Sequence, residues 1–117
     1  LPNELSSAIV KKTITFARRL GMPIIGVVEN MSGFICPHCG EKMDIFQSGG
    51  GKKMAEETGV PFLGSIPIDP KIGVGADKGS PFVIENLDFP AEKAFMKIVE
   101  KVEGYLAERE QSKKVNL

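Results

Sequence analysis

Pro23-Ile24-Ile25-Gly26-Val27-Val28-Glu29-Asn30 is the stretch on which the fold turns. Its continuous apolar run reads as a strand covered on both faces, the habit of a parallel sheet. The run ends at Glu29-Asn30, where polar groups replace apolar ones. A second run, Phe62-Leu63-Gly64-Ser65-Ile66, is stopped by Pro67, which has no N–H for a sheet ladder. Between the two lie a glycine-rich loop over 31–51 and a short helix expected from about Lys52 to Thr58, ended by Gly59. Upstream, Asn3 suits the N-cap of a helix running to about Leu20, with Leu5, Ala8, Ile9, Phe16, Ala17 and Leu20 at helical spacing. Gly21 supplies the left-handed stop. Downstream, residues 67–90 are rich in Pro, Gly and Asp, with one helical turn expected around 71–78. Pro90 then opens a helix to about Arg109, whose stripe is Phe95, Ile98, Val99, Val102 and Leu106.

Helix, strand, loop, helix, strand, helix implies parallel strands joined by crossover helices. Two strands make a poor parallel sheet by themselves. The expected fold class is therefore α/β, the C-terminal portion of a larger doubly wound parallel-sheet domain that lacks its first strands. Residues 1–110 form that portion, and 111–117 belong to a charged tail expected to fray. The chain opens Leu1-Pro2-Asn3-Glu4 without an initiator methionine, which suits a fragment, a processed form or a trimmed natural start.

The bulk composition narrows the function. Of 117 residues, 42% are hydrophobic and 26% charged, an ordinary globular balance. Fifteen basic and fifteen acidic side chains cancel, so no field points to nucleic acid or an anionic membrane. No apolar run approaches the roughly 20 residues of a membrane span, and no signal peptide is visible. Two cysteines three positions apart suit metal or redox chemistry in a reducing cytoplasm better than a structural disulfide.

Those cysteines lie in Cys36-Pro37-His38-Cys39-Gly40. In such a knuckle two thiolates face one metal, the proline stiffens the turn, and the glycine lets backbone N–H groups approach the sulfurs. Tetrahedral zinc and the common iron–sulfur clusters take four protein ligands. The chain has two cysteines and one histidine, and His38 is wedged between the cysteines. Either the site holds no metal, or a second chain completes it. A two-fold axis through the loop would bring four thiolates together, which predicts a homodimer with the metal group at its interface. Idle thiols in a solvated loop, a zinc-stapled dimer and a thioredoxin-like dithiol oxidoreductase are the competing readings. Against the last, the residues after Cys39 leave little room for the long helix that a redox cysteine should cap.

Read together, Gly26-Val27-Val28-Glu29-Asn30-Met31-Ser32-Gly33-Phe34, the Cys36–Gly40 knuckle, and Gly64-Ser65-Ile66-Pro67-Ile68-Asp69-Pro70 closely resemble the C-terminal half of the Mrp/ApbC family. These are cytoplasmic P-loop ATPases of the deviant Walker type that carry iron–sulfur clusters. Leu1-Pro2-Asn3-Glu4-Leu5 is similar to the segment that enters a helix after the family's core strands, and the resemblance covers roughly residues 1–85. It implies a P-loop NTPase domain, with Cys36 and Cys39 as the ligands through which two subunits share a [4Fe–4S] cluster. It also implies delivery of that cluster to apo-proteins, coupled to ATP and Mg²⁺ in the complete protein. Asn30 falls where the family meets the adenine, and Pro67, Ile68 and Asp69 lie beside the base. Residue by residue, a strand-ending turn at Asn30 and a simple strand stop at Pro67 are nearly as good readings as the adenine role. The family's phosphate-binding loop, signature lysine and magnesium aspartates are not in this sequence. Gly49-Gly50-Gly51-Lys52-Lys53 does not replace them, since a P-loop needs Gly where Phe46 stands and Ser or Thr where Lys53 stands. It reads as a hinge leading into the short helix, and the chain as written is not expected to hydrolyse ATP.

Overall fold

The computed structural model describes residues 4–45, 49–79 and 90–115. Helix α1 (Glu4–Arg19) is followed by strand β1 (Val27–Glu29), a hairpin of β2 (Phe34–Ile35) and β3 (Lys42–Met43), and helix α2 (Gly50–Thr58). Strand β4 (Phe62–Ser65), helix α3 (Pro70–Asp77) and helix α4 (Pro90–Val115) complete the order. The expected Asn3 cap and the segment 80–89 lie outside the described residues.

β1 and β4 pair in parallel, Val27 opposite Phe62, Val28 opposite Gly64 and Glu29 opposite Ser65, with a bulge after Val27. α2 is the crossover between them, as the order of elements predicts. The first strand is shorter than its apolar run, because the ladder begins only where β4 begins, with the Val27 N–H on the Pro61 carbonyl at 2.8 Å. Ile14 of α1, Val27 of β1, Met54 and Ala55 of α2, and Val60 form the buried core, with Ile24 and Phe62 packed against it. Gly21 and Gly59 both adopt the left-handed conformation at helix ends.

Three expectations change. The stripe read for α1 does not face the core: Leu5 is 73% exposed and Phe16 64%, with Ile9 and Leu20 also on the outside. Ile14, on the opposite side of the helix, is the buried residue. α2 begins at Gly50 instead of Lys52, so the glycine triplet is the helix start itself, with left-handed Gly49 at the N-cap. The charged C-terminus is helical through Val115, because Glu, Arg, Gln and Lys are good helix formers even without a buried face. The α4 stripe holds at Ile98, which is buried, and at half-buried Phe95, Val99 and Val102, whereas Leu106 is exposed.

Candidate functional site

Cys36 follows β2 directly and Cys39 lies in the turn before β3, so the thiols sit at the tip of a short antiparallel hairpin. Phe34 pairs with Met43 and Ile35 with Lys42. Two backbone bonds close the tip: the Cys36 N–H donates to the Glu41 carbonyl, and the Gly40 N–H to the Cys36 carbonyl, each 2.9 Å. Gly40 adopts φ +73°, where a side chain would strain the turn, and that is its contribution. The N–H groups of Cys39 and then His38, followed by the Cys39 thiol, hold the Cys36 thiol below its ordinary range against a small opposing effect of burial. These are the donors that settle charge on a thiolate. Both cysteines are free, Cys36 half-buried and Cys39 exposed, with Pro37 and His38 exposed between them. Among the described residues no three His, Cys, Asp or Glu side chains gather into a metal site. One chain thus presents two sulfurs and no closed cage. Cys36 stands on a hairpin instead of at a helix N-terminus, and the oxidoreductase alternative is not favoured.

The hairpin stem is joined to the carboxyl end of the sheet. The Ile66 N–H donates to the Glu29 carbonyl at 2.8 Å, the Ser32 N–H to the Ile66 carbonyl at 3.0 Å, and the Ile68 N–H to the Gly33 carbonyl at 2.7 Å. Phe34 and Ile68 form a parallel bridge beyond them. Asn30 and the stretch Pro67-Ile68-Asp69 therefore lie at the same end of the two parallel strands, where open α/β sheets bind ligands. Asn30 is exposed, and its Oδ1 accepts the Met31 N–H at 2.9 Å as the chain turns through φ +54° at Met31. That is the turn role that local sequence offered for Asn30. Pro67, Ile68 and Asp69 are half-buried.

Glu29 is the residue the sequence did not single out. It is 4% exposed, yet its carboxylate is fully engaged. Oε2 accepts the Ser32 hydroxyl at 2.8 Å and the Ser65 hydroxyl at 3.3 Å, while Oε1 accepts the N–H groups of Gly49 and Gly51, both at 3.1 Å. Burial pushes its pKa up, but hydrogen bonds from Gly51, Ser32, Ser65 and Gly49 outweigh it, and the net result is a lowered value. The only local signal was a carboxylate following an apolar strand. Its partners lie up to 36 positions away.

The sequence matches the family described as ParA, NUBPL iron-transfer P-loop NTPase over residues 1–103. An iron-sulfur cluster carrier protein of Methanocaldococcus jannaschii is 53% identical over 107 residues, covering 88% of this chain and 36% of the relative. One from Saccharolobus solfataricus is 50% identical, covering 87% and 34%. The cytosolic Fe-S cluster assembly factor NUBP2 of Bos taurus is 44% identical, covering 86% and 37%. The chain thus spans about a third of the length of these relatives. Among solved structures, a nucleotide-binding protein of Archaeoglobus fulgidus in complex with ADP superposes with a TM-score of 0.60 at 33% identity, over 78% of this chain and 40% of that one. The cell division ATPase MinD of Pyrococcus furiosus gives 0.67 at 26% identity, over 89% and 40%. The parallel pair with its crossover helix is thus part of a P-loop NTPase fold, and the chain belongs to the ParA/NUBPL family of iron-transfer P-loop NTPases.

Proposed function

We propose that the chain is the cluster-bearing part of an iron–sulfur carrier, in which Cys36 and Cys39 of two copies hold one [4Fe–4S] cluster as cargo for apo-proteins. The observation that carries this reading is the hairpin tip, with two free thiols in one turn and backbone N–H groups directed at Cys36. Two sulfurs per chain are half of a four-ligand set, so a second copy is the simplest complement. The names of the relatives support a carrier role. The exposed position of Cys39 suits a group that must pass to another protein. The free thiols and the cytosolic relative favour the cytoplasm. No helix among the described residues is long and apolar enough to cross a membrane.

Nucleotide enters the same reading at the carboxyl end of the parallel strands, beside the hairpin stem. Asn30 and residues 67–69 would meet the base of ATP, whose phosphates and Mg²⁺ require a P-loop that this sequence lacks. ATP dependence accordingly belongs to a protein that also contains that loop. Native mass spectrometry after anaerobic reconstitution with iron and sulfide tests the central claim. A dimer carrying one four-iron cluster is expected, and a metal-free monomer with a Cys36–Cys39 disulfide would overturn it. Cys36→Ala or Cys39→Ala should each abolish cluster uptake, read as loss of bound iron and of visible absorption. A full cluster in either variant would remove these residues as ligands.

A further inference from the structure

One buried side chain fastens both ends of the cysteine loop. Glu29 precedes the loop on β1, and its carboxylate takes the Ser32 hydroxyl on the stretch leading into the hairpin. The same group takes the N–H groups of Gly49 and Gly51 on the stretch leading out, 20 and 22 positions further along the chain. The Ser65 hydroxyl ties it to the end of β4. The leading side has further fastenings, the backbone bonds from Ser32 and Ile68 already described. The trailing side is tied to the sheet by the Glu29 bonds and, further along α2, by the packing of Met54 and Ala55 in the core. The approach there is close: a Cβ on Gly51 would stand 2.9 Å from the Cβ of Glu29.

We propose that Glu29 is the positioning residue of the cysteine hairpin, its carboxylate clasping both feet of the loop. The clasp fixes where Cys36 and Cys39 stand relative to the carboxyl end of the sheet. For its consequence, though not its geometry, the proposal rests on the cluster-carrying reading. Two copies must bring two sulfurs each to one cluster, and such constellations need their support held to about 0.5 Å. A loop whose trailing foot is held only by the packing of α2 presents the thiols over a wider range, and the shared cluster is lost sooner.

Three variants of the 117-residue chain, loaded anaerobically with ferric iron, sulfide and a thiol reductant, test this. Glu29→Ala removes the clasp. Glu29→Gln keeps an oxygen for the two N–H groups and an amide that donates to the serine hydroxyls, so position survives without charge. Gly51→Ala leaves Glu29 intact but drives a methyl group between the clasp and α2, at a helical position that otherwise favours alanine. Iron release to a ferrous chelator should be about tenfold faster in Glu29→Ala and Gly51→Ala, the low end of the cost in metal affinity when a ligand loses its own hydrogen-bonded support. Far-UV circular dichroism should stay parental in both, and Glu29→Gln should stay well short of that about tenfold change. Parental release from Glu29→Ala and Gly51→Ala would overturn the proposal. So would equal loss in Glu29→Gln, which would make charge, and not position, the cause. If Glu29→Ala does not fold, Gly51→Ala decides by the same criterion. If the parent takes up no iron, the carrier reading fails by itself, and the clasp is judged by hydrogen exchange at the amide of residue 51, taken relative to its intrinsic rate. Faster exchange in Gly51→Ala or Glu29→Ala upholds the clasp; parental exchange refutes it.

Discussion

Glu29 carries a charge into a place that water hardly reaches, and four donors make this tolerable. A desolvated carboxylate without partners would take up a proton; with two N–H groups and two hydroxyls aimed at it, the ionised form wins. The folded pKa therefore lies below the unfolded one, which for a glutamate is about 4.3. The resulting stability is fully present above that value and is lost as pH falls through the lower folded value. Denaturant unfolding should show a stability loss on acidification in the parent that is smaller in Glu29→Gln, whose side chain does not titrate. A Glu29→Gln profile that follows the parent throughout would assign the acid loss to other groups. At neutral pH, Glu29→Ala should cost on the order of 3 kcal/mol, since it strands the buried Gly51 N–H and removes charge-assisted bonds.

At the scale of elements, the junction of β1 and β4 depends on a missing side chain. A Cβ on Gly26 would come within 2.5 Å of Leu63 Cγ, and Leu63 is itself buried. Gly26→Ala should therefore destabilise by about 1–3 kcal/mol through overpacking. It should lower the denaturant midpoint at an unchanged slope, and a parental midpoint would show that Leu63 relaxes freely. This pair and its crossover were legible because an apolar run closed by Glu29 or by Pro67 suits a buried strand and little else. The hairpin was not, because two-residue strands carry no period, and its closing bonds are backbone bonds at Cys36 and Gly40. The inward face of α1 was misread for a different reason. Leu5, Ile9, Phe16 and Leu20 make a stripe as regular as any buried one, and periodicity cannot tell which side meets the sheet. Of the candidate site, the cysteine pair stood out by its spacing. The clasp was hidden because its members, Glu29, Ser32, Gly49, Gly51 and Ser65, meet only after folding.

At the scale of the molecule, the proposed carrier takes two of its four ligands from each hairpin tip, so on that proposal cluster binding and pairing of copies should be one equilibrium. Among the described residues nothing offers a third or fourth ligand beside Cys36 and Cys39. Binding energy released at the shared site must then appear as stability of the pair, by about 2.7 kcal/mol for each hundredfold excess over the dissociation constant. The iron-loaded chain should sediment as a dimer, and its melting temperature should rise with protein concentration. The iron-free chain should show no such concentration dependence arising from the hairpin. Adding a ferrous chelator should return the loaded sample to the iron-free melting temperature and the smaller species together, because one linkage governs both. Cys39→Ala should behave as the iron-free chain at every iron concentration, since one sulfur per copy leaves the set incomplete. A loaded species that melts independently of concentration, or that stays dimeric after the iron is removed, would separate pairing from the cluster and place the dimer contact elsewhere than the cysteine hairpin.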